Sequence, residues 1–225
     1  MLGTSHVAIE SVESVKRYID EYMPKVVCVE LDKQRLQGLL ANNRSLPSPR
    51  LIFHIGVVGF IFVLFGSLVQ RAIAKSLGTQ PGHDMLTAVR YARNNNISVA
   101  LVDQPIHITL KHTSAYFTFK EGFRFFWDIV SSLFGSKRVA REIGMVNLDL
   151  SKVPSQKIIE RSILYLEKRY PSIYKALIHE RNVYMSERIR VISKEYPNEP
   201  LLVVVGAGHI AGMMPLLKDL TVVRL

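Results

Sequence analysis

Residues 201–212 read LLVVVGAGHIAG, a valine-rich apolar run that breaks at Gly206 and Gly208 and arrives at His209. A short β-branched run without alternation is the signature of a strand buried on both faces. Glycines at its end suit a tight strand-to-helix turn, through positive backbone dihedrals or through close approach of the backbone to another group. Two further stretches share the design: Lys25–Leu31 (KVVCVEL) carries Glu30 near its end, and Ile97–Val102 (ISVALV) is followed by Asp103. Helical patterns separate these runs, which implies a parallel sheet covered by helices. In an open parallel sheet ligands bind beyond the carboxyl ends of the strands, so Glu30, Asp103 and His209 are expected to face one crevice.

Working outward, Met1-Leu2 reads as the end of a first strand, and Gly3 then stands in the same position as Gly206. Ser11 caps a helix to about Met23, with Val12, Val15, Ile19, Tyr22 and Met23 near helical spacing. Asp32 starts a second helix, and Asp84–Asn95 forms another with Met85, Ala88, Val89 and Ala92 along one face. The aromatic and basic region 107–141 reads as helical, substrate-covering or interface structure. Prolines at 154, 171 and 197 delimit helices over Ser155–Arg169 and Ser172–Tyr196. A short helix near His209 and a last strand over Thr221–Leu225 complete the expectation. The fold class is α/β, with a mixed, largely parallel central sheet flanked by helices. It forms one domain over residues 1–225 with a helical insertion at about 111–170.

A chain of 225 residues with 48% hydrophobic and 21% charged residues folds around its own core without covalent staples. Its single cysteine, Cys28, excludes an internal disulfide and a multi-thiolate metal site, which fits a reducing compartment. The start lacks the pattern of a secretory signal, so the cytoplasm is expected. The net charge of +10 is scattered rather than striped, and no nucleic-acid-binding motif accompanies it, so a nucleic-acid partner is not expected. Residues 51–69 (LIFHIGVVGFIFVLFGSLV) carry no formal charge and are long enough to cross a bilayer as a helix. We read this segment as a helix in the core or in a subunit interface, with membrane association as the other reading.

Two imidazoles and a carboxylate, His6, His209 and Glu30, suit a divalent ion of the Zn, Mn or Fe type with positions open for water or substrate. The same residues read equally as loop histidines with local hydrogen bonds and a glutamate that caps a helix or pairs with Arg35. For Arg181 the alternatives are a substrate contact and a salt bridge to Glu30 or Asp103. A dinucleotide turn at VVVGAGHIAG is excluded, because too little chain follows it for a βαβ unit and its acidic residue.

Several blocks in order resemble the TraB/PrgY family: GTSHV (3–7), VCVELDKQR (27–35), LGTQPGHDM (77–85), LVDQPIHITL (101–110), ERNVYM (180–185) and VVGAGHIAG (204–212). Relatives include the Tiki proteins and, more distantly, erythromycin-esterase/ChaN-like folds. The resemblance implies a hydrolase-like site made of two G-x-x-H motifs and a glutamate. Metal-dependent peptidase activity is attributed to Tiki proteins, and pheromone shutdown to bacterial TraB-like members. By matching position it implies His6, Glu30 and His209 as ligands of a divalent ion (Mn, Co or Zn), and Glu30, Arg35 and Arg181 as catalytic residues. It further implies Asp103, Arg181 and Asn182 on the substrate side, with Gly3, Gly206 and Gly208 shaping the loops. The expected substrate is a peptide or small amide-like molecule, and the expected assembly a homodimer. The sequence departs from the family pattern at Gln104, where a basic residue is more usual, and in its brief first strand.

Overall fold

A computed structural model describes residues 1–4, 9–41, 48–57, 60–61, 63–64, 67, 82–133 and 155–225. Four strands, β1 (Leu2–Thr4), β2 (Val26–Val29), β3 (Ser98–Leu101) and β4 (Leu201–Gly206), form one sheet in the order β1-β4-β2-β3. All of its pairings are parallel. The last strand in sequence thus lies in the middle of the sheet, between β1 and β2. That placement brings the two ends of the chain together at one edge.

Alternate residues of the strands feed two cores. Val27 and Val29 of β2 with Leu202 and Val204 of β4 pack against Val15 and Ile19 of α1 (Ile9–Tyr22), Leu36 of α2 (Lys33–Leu40), and Met85 and Val89 of α3 (His83–Asn94). Val26, Cys28, Val203 and Val205 turn the other way, onto Met185, Ile189 and Ile192 of a later helix and onto Ile210 and Met213. Burial on both faces explains why these strands read as unbroken apolar runs rather than alternating ones.

Helices α4 (Ile106–Tyr116), α5 (Phe119–Leu133) and α6 (Gln156–Arg169) occupy the aromatic-rich stretch and its sequel. Thr118 and Glu121 form a reciprocal capping box at the start of α5: the Thr118 hydroxyl accepts from Glu121 N (3.2 Å), and Glu121 Oε2 accepts from Thr118 N (3.3 Å). The helix expected over Ser172–Tyr196 is composite. It comprises α7 (Pro171–Tyr174), a π-helical turn at Lys175–His179 and α8 (Glu180–Glu195). One inserted residue shifts helical phase by about 100°, which re-aims Arg181 and Asn182 relative to α7. His112 and Tyr116 of α4 tie that turn down through the Glu180 carboxylate, at 2.7 and 2.8 Å.

The strand expected over Thr221–Leu225 does not form. The tail instead makes a minimal link to the residue just before β1: Met1 N donates to Val223 O (2.6 Å), and Leu225 N donates to Met1 O (3.0 Å). A ladder needs more partner residues than this edge supplies. Within 51–69, residues 52–57, 60–61, 63–64 and 67 are helical; Ile55 is buried, while Phe53, Val57 and Ile61 are exposed. The rest of that segment lies outside the described residues. Among the described residues, no helix is long and apolar enough to cross a membrane.

Candidate functional site

The carboxyl edge of the sheet collects the polar groups expected there. Glu30 directly follows β2, Asp103 follows β3, and α9 (Ala207–Met213) begins where β4 ends and carries His209 in its first turn. The register pairs Gly3 with Val205 and Thr4 with Gly206, so the described starts of the two G-x-x-H motifs lie on adjacent strands. His6 itself lies outside the described residues.

Glu30, a buried carboxylate, is held from several sides. Its Oε2 accepts from Gly206 N at 2.6 Å, its Oε1 accepts from Arg181 Nη2, and His209 Nε2 stands 3.3 Å from the same Oε1. Arg181 grips Asp103 bidentately, Nε to Oδ1 at 2.9 Å and Nη2 to Oδ2 at 2.8 Å, and its Nη1 donates to Leu177 O at 3.1 Å. Burial alone would pull its pKa down, but the charges of Glu30 and Asp103 prevail and hold it above the usual value. The salt-bridge alternative for Arg181 is therefore realised to both carboxylates at once.

Arg35 joins the network from α2, its Nη1 donating to Asp103 Oδ2 at 2.7 Å. Its side chain is 32% exposed against 13% for Arg181, so Arg35 has the freer surface for a ligand. Asp32, which the sequence marks only as a helix start, does more than cap α2. Its carboxylate accepts from Gln34 N (2.7 Å) and Arg35 N (3.0 Å), and also from Ile106 N (3.2 Å) at the start of α4. It thereby ties the two segments that present Arg35 and Asp103. Its signal in the sequence was a helix-capping aspartate three residues before the arginine. Gln104 is buried, and its backbone N–H turns back onto Asp103 Oδ1 at 2.8 Å.

On the other side, Asn182 Oδ1 lies 2.6 Å from His209 Nδ1, with both side chains buried. The expected loop glycines divide by role. The positive-φ glycines among the described residues are Gly56 and Gly82, so neither Gly206 nor Gly208 uses that freedom. Gly3 answers to close approach instead: a Cβ there would meet Ile210 Cγ1 at 3.1 Å and Ala207 Cα at 3.3 Å. At Gly208 a Cβ would make only ordinary contact with Ile163, at 3.5 Å. The described residues contain no cluster of three histidine, cysteine or acidic side chains arranged to hold a metal ion. They contain two of the three expected ligands, Glu30 and His209, in mutual contact.

The model of the TraB/PrgY/gumN family matches residues 1–221. The chain belongs to this family. Among the relatives, an uncharacterized protein of Methanocaldococcus jannaschii is 31% identical over 98% of this chain and 53% of its own length. TraB domain-containing proteins of Bos taurus and Homo sapiens are each 24% identical over 95% of the chain, covering 60% and 61% of their own lengths. This TraB-family chain thus spans between half and two thirds of the length of the relatives it matches.

Proposed function

We propose that this TraB-family chain is a metal-dependent hydrolase of peptide or amide-like substrates, with Glu30, His209 and His6 as ligands of a Mn, Co or Zn ion. The observation that carries the reading is the pairing of Glu30 Oε1 and His209 Nε2, 3.3 Å apart. Two ligand atoms about 2.1 Å from a tetrahedral ion stand roughly 3.4 Å apart. Thr4, two residues before His6, pairs with Gly206 at the same end of the sheet. A bound ion supplies an acidified water and polarises the substrate carbonyl.

The chain's own residues supply the rest. Arg181 and Gly206 N fix the Glu30 carboxylate, and Asp103 holds the planes of Arg181 and Arg35. Arg35, the more exposed arginine, meets a substrate carboxylate or a developing oxyanion. A peptide pool incubated with the protein and Mn, Co or Zn, read by mass spectrometry, tests this. Metal-dependent cleavage that disappears in Glu30→Gln is expected, whereas no cleavage with any of the three ions and no bound ion by elemental analysis overturns it.

One observation favours a second reading. Glu30 and Asp103 are balanced by Arg35 and Arg181, so the site is also self-neutral as a peptide-capturing pocket without turnover. Peptide binding that persists in chelator, without cleavage, identifies that case. In either reading the exposed Phe53, Val57 and Ile61 supply a face for a homodimer or membrane contact, which light scattering and vesicle flotation distinguish.

A further inference from the structure

We infer that Asn182 is the positioning residue for His209, and that Gly212 is the cut-out in α9 that lets it reach. A carbonyl oxygen only accepts, so Asn182 Oδ1 at 2.6 Å from Nδ1 fixes the proton on that nitrogen. A ring that carries a single proton then has its lone pair on Nε2, the atom 3.3 Å from Glu30 Oε1, where an ion between the two would take it up. Without this contact the imidazole could rotate about its χ2 or carry its proton on the other nitrogen, and either change would withdraw the lone pair from Glu30.

The helix bearing His209 is shaped for this contact. A Cβ on Gly212 would fall 2.2 Å from Asn182 Nδ2 and 3.3 Å from its Cγ. The amide is itself in a buried position between α8 and α9, so it must shift to make way. Any side chain at residue 212 therefore displaces the amide from His209. The π turn contributes by setting the phase of α8, so that adjacent residues serve adjacent groups: Arg181 holds the two carboxylates while Asn182 holds the imidazole.

The purpose given to Nε2 rests on the metal reading above; the orientation of the ring does not. Two measurements separate them. Nitrogen-15 NMR of labelled protein, with the His209 signals assigned by their loss in His209→Gln, reports which ring nitrogen carries the proton. Isothermal titration with Mn reports affinity. In the wild-type protein Nδ1 is expected to give the protonated-type shift and Nε2 the lone-pair-type shift.

Asn182→Leu and Gly212→Ala are expected to abolish that single-tautomer signature and weaken Mn binding by about 10- to 100-fold. Asn182→Asp, which keeps an acceptor in place, is expected to retain the signature. A wild-type protein that shows the signature but binds no Mn refutes the metal reading and leaves the positioning role standing. A signature and Mn affinity unchanged in both folded Asn182→Leu and folded Gly212→Ala overturn the inference itself.

Discussion

Replacing Arg181 with methionine leaves Glu30 and Asp103 in the interior without the guanidinium that neutralises both. Their side chains are only 3% and 2% exposed, so water cannot take over its role. Breaking a buried ion pair by removing one partner costs about 3–5 kcal/mol; Asp103 keeps Arg35 at 2.7 Å, so the loss falls chiefly on Glu30 and stays within that range. For a domain of this size each kcal/mol moves the melting temperature by about 2–4 °C, so the fall should be roughly 6–20 °C. Differential scanning calorimetry at neutral pH measures it. The triple variant Arg181→Met/Glu30→Gln/Asp103→Asn removes the stranded charges and should recover most of the loss, a coupling that distant substitutions would not show. A melting temperature lowered by less than about 2 °C in the single variant, or a triple variant less stable than it, would refute the argument that Arg181 acts by neutralising this pair.

Three other outcomes follow from neighbouring features. Burial pushes the Cys28 thiol up to about 12, so a disulfide reagent at pH 8 should leave the folded protein unlabelled and react at once in urea; prompt labelling of native protein contradicts the core position. Asp32→Ala removes an N-cap and the tether to Ile106, and urea unfolding should show a loss near the upper end of the roughly 0.5–2 kcal/mol seen for caps. Burial would raise the Glu121 pKa, but hydrogen bonds from Ser172 and Thr118 outweigh it and hold the carboxyl below its ordinary value. Its stabilisation is therefore complete above the unfolded value of about 4.3 and is lost as pH falls through the lower folded value; Glu121→Gln should flatten that limb of the stability–pH profile.

The strands at 25–31 and 201–205 were legible because burial on both faces leaves an unbroken β-branched run; that at 97–102, a half-buried edge strand, was legible from its apolar run, and the polar residues at the strand ends marked the sheet edge. The central place of β4 was not legible, since valine runs specify strands but not neighbours. Nor does KALIH announce a π turn: its residues are ordinary helix formers, and the widening arises where Glu180 is held by α4 while Arg181 and Asn182 are held at the sheet. TVVRL read as a strand on propensity, but its described backbone partner at the sheet edge is Met1 alone. At the site, the identities of Glu30, Asp103, Arg181 and His209 could be read from the sequence. Among the partners, the salt bridge of Arg181 to Glu30 or Asp103 was an open alternative, whereas Arg35 on Asp103 and Asn182 on the imidazole were not legible, because they are set by helix phase and crossing, which no local pattern encodes.

The central claim is that Glu30 and His209 share a divalent ion. Crystals grown with Mn, with diffraction data collected on either side of its absorption edge, test it most directly. An anomalous peak about 2.0–2.3 Å from both His209 Nε2 and a Glu30 oxygen is expected, absent in His209→Ala crystals grown the same way. A wild-type map with no peak between those two side chains, or with the ion bound elsewhere while they keep their direct contact, would contradict it.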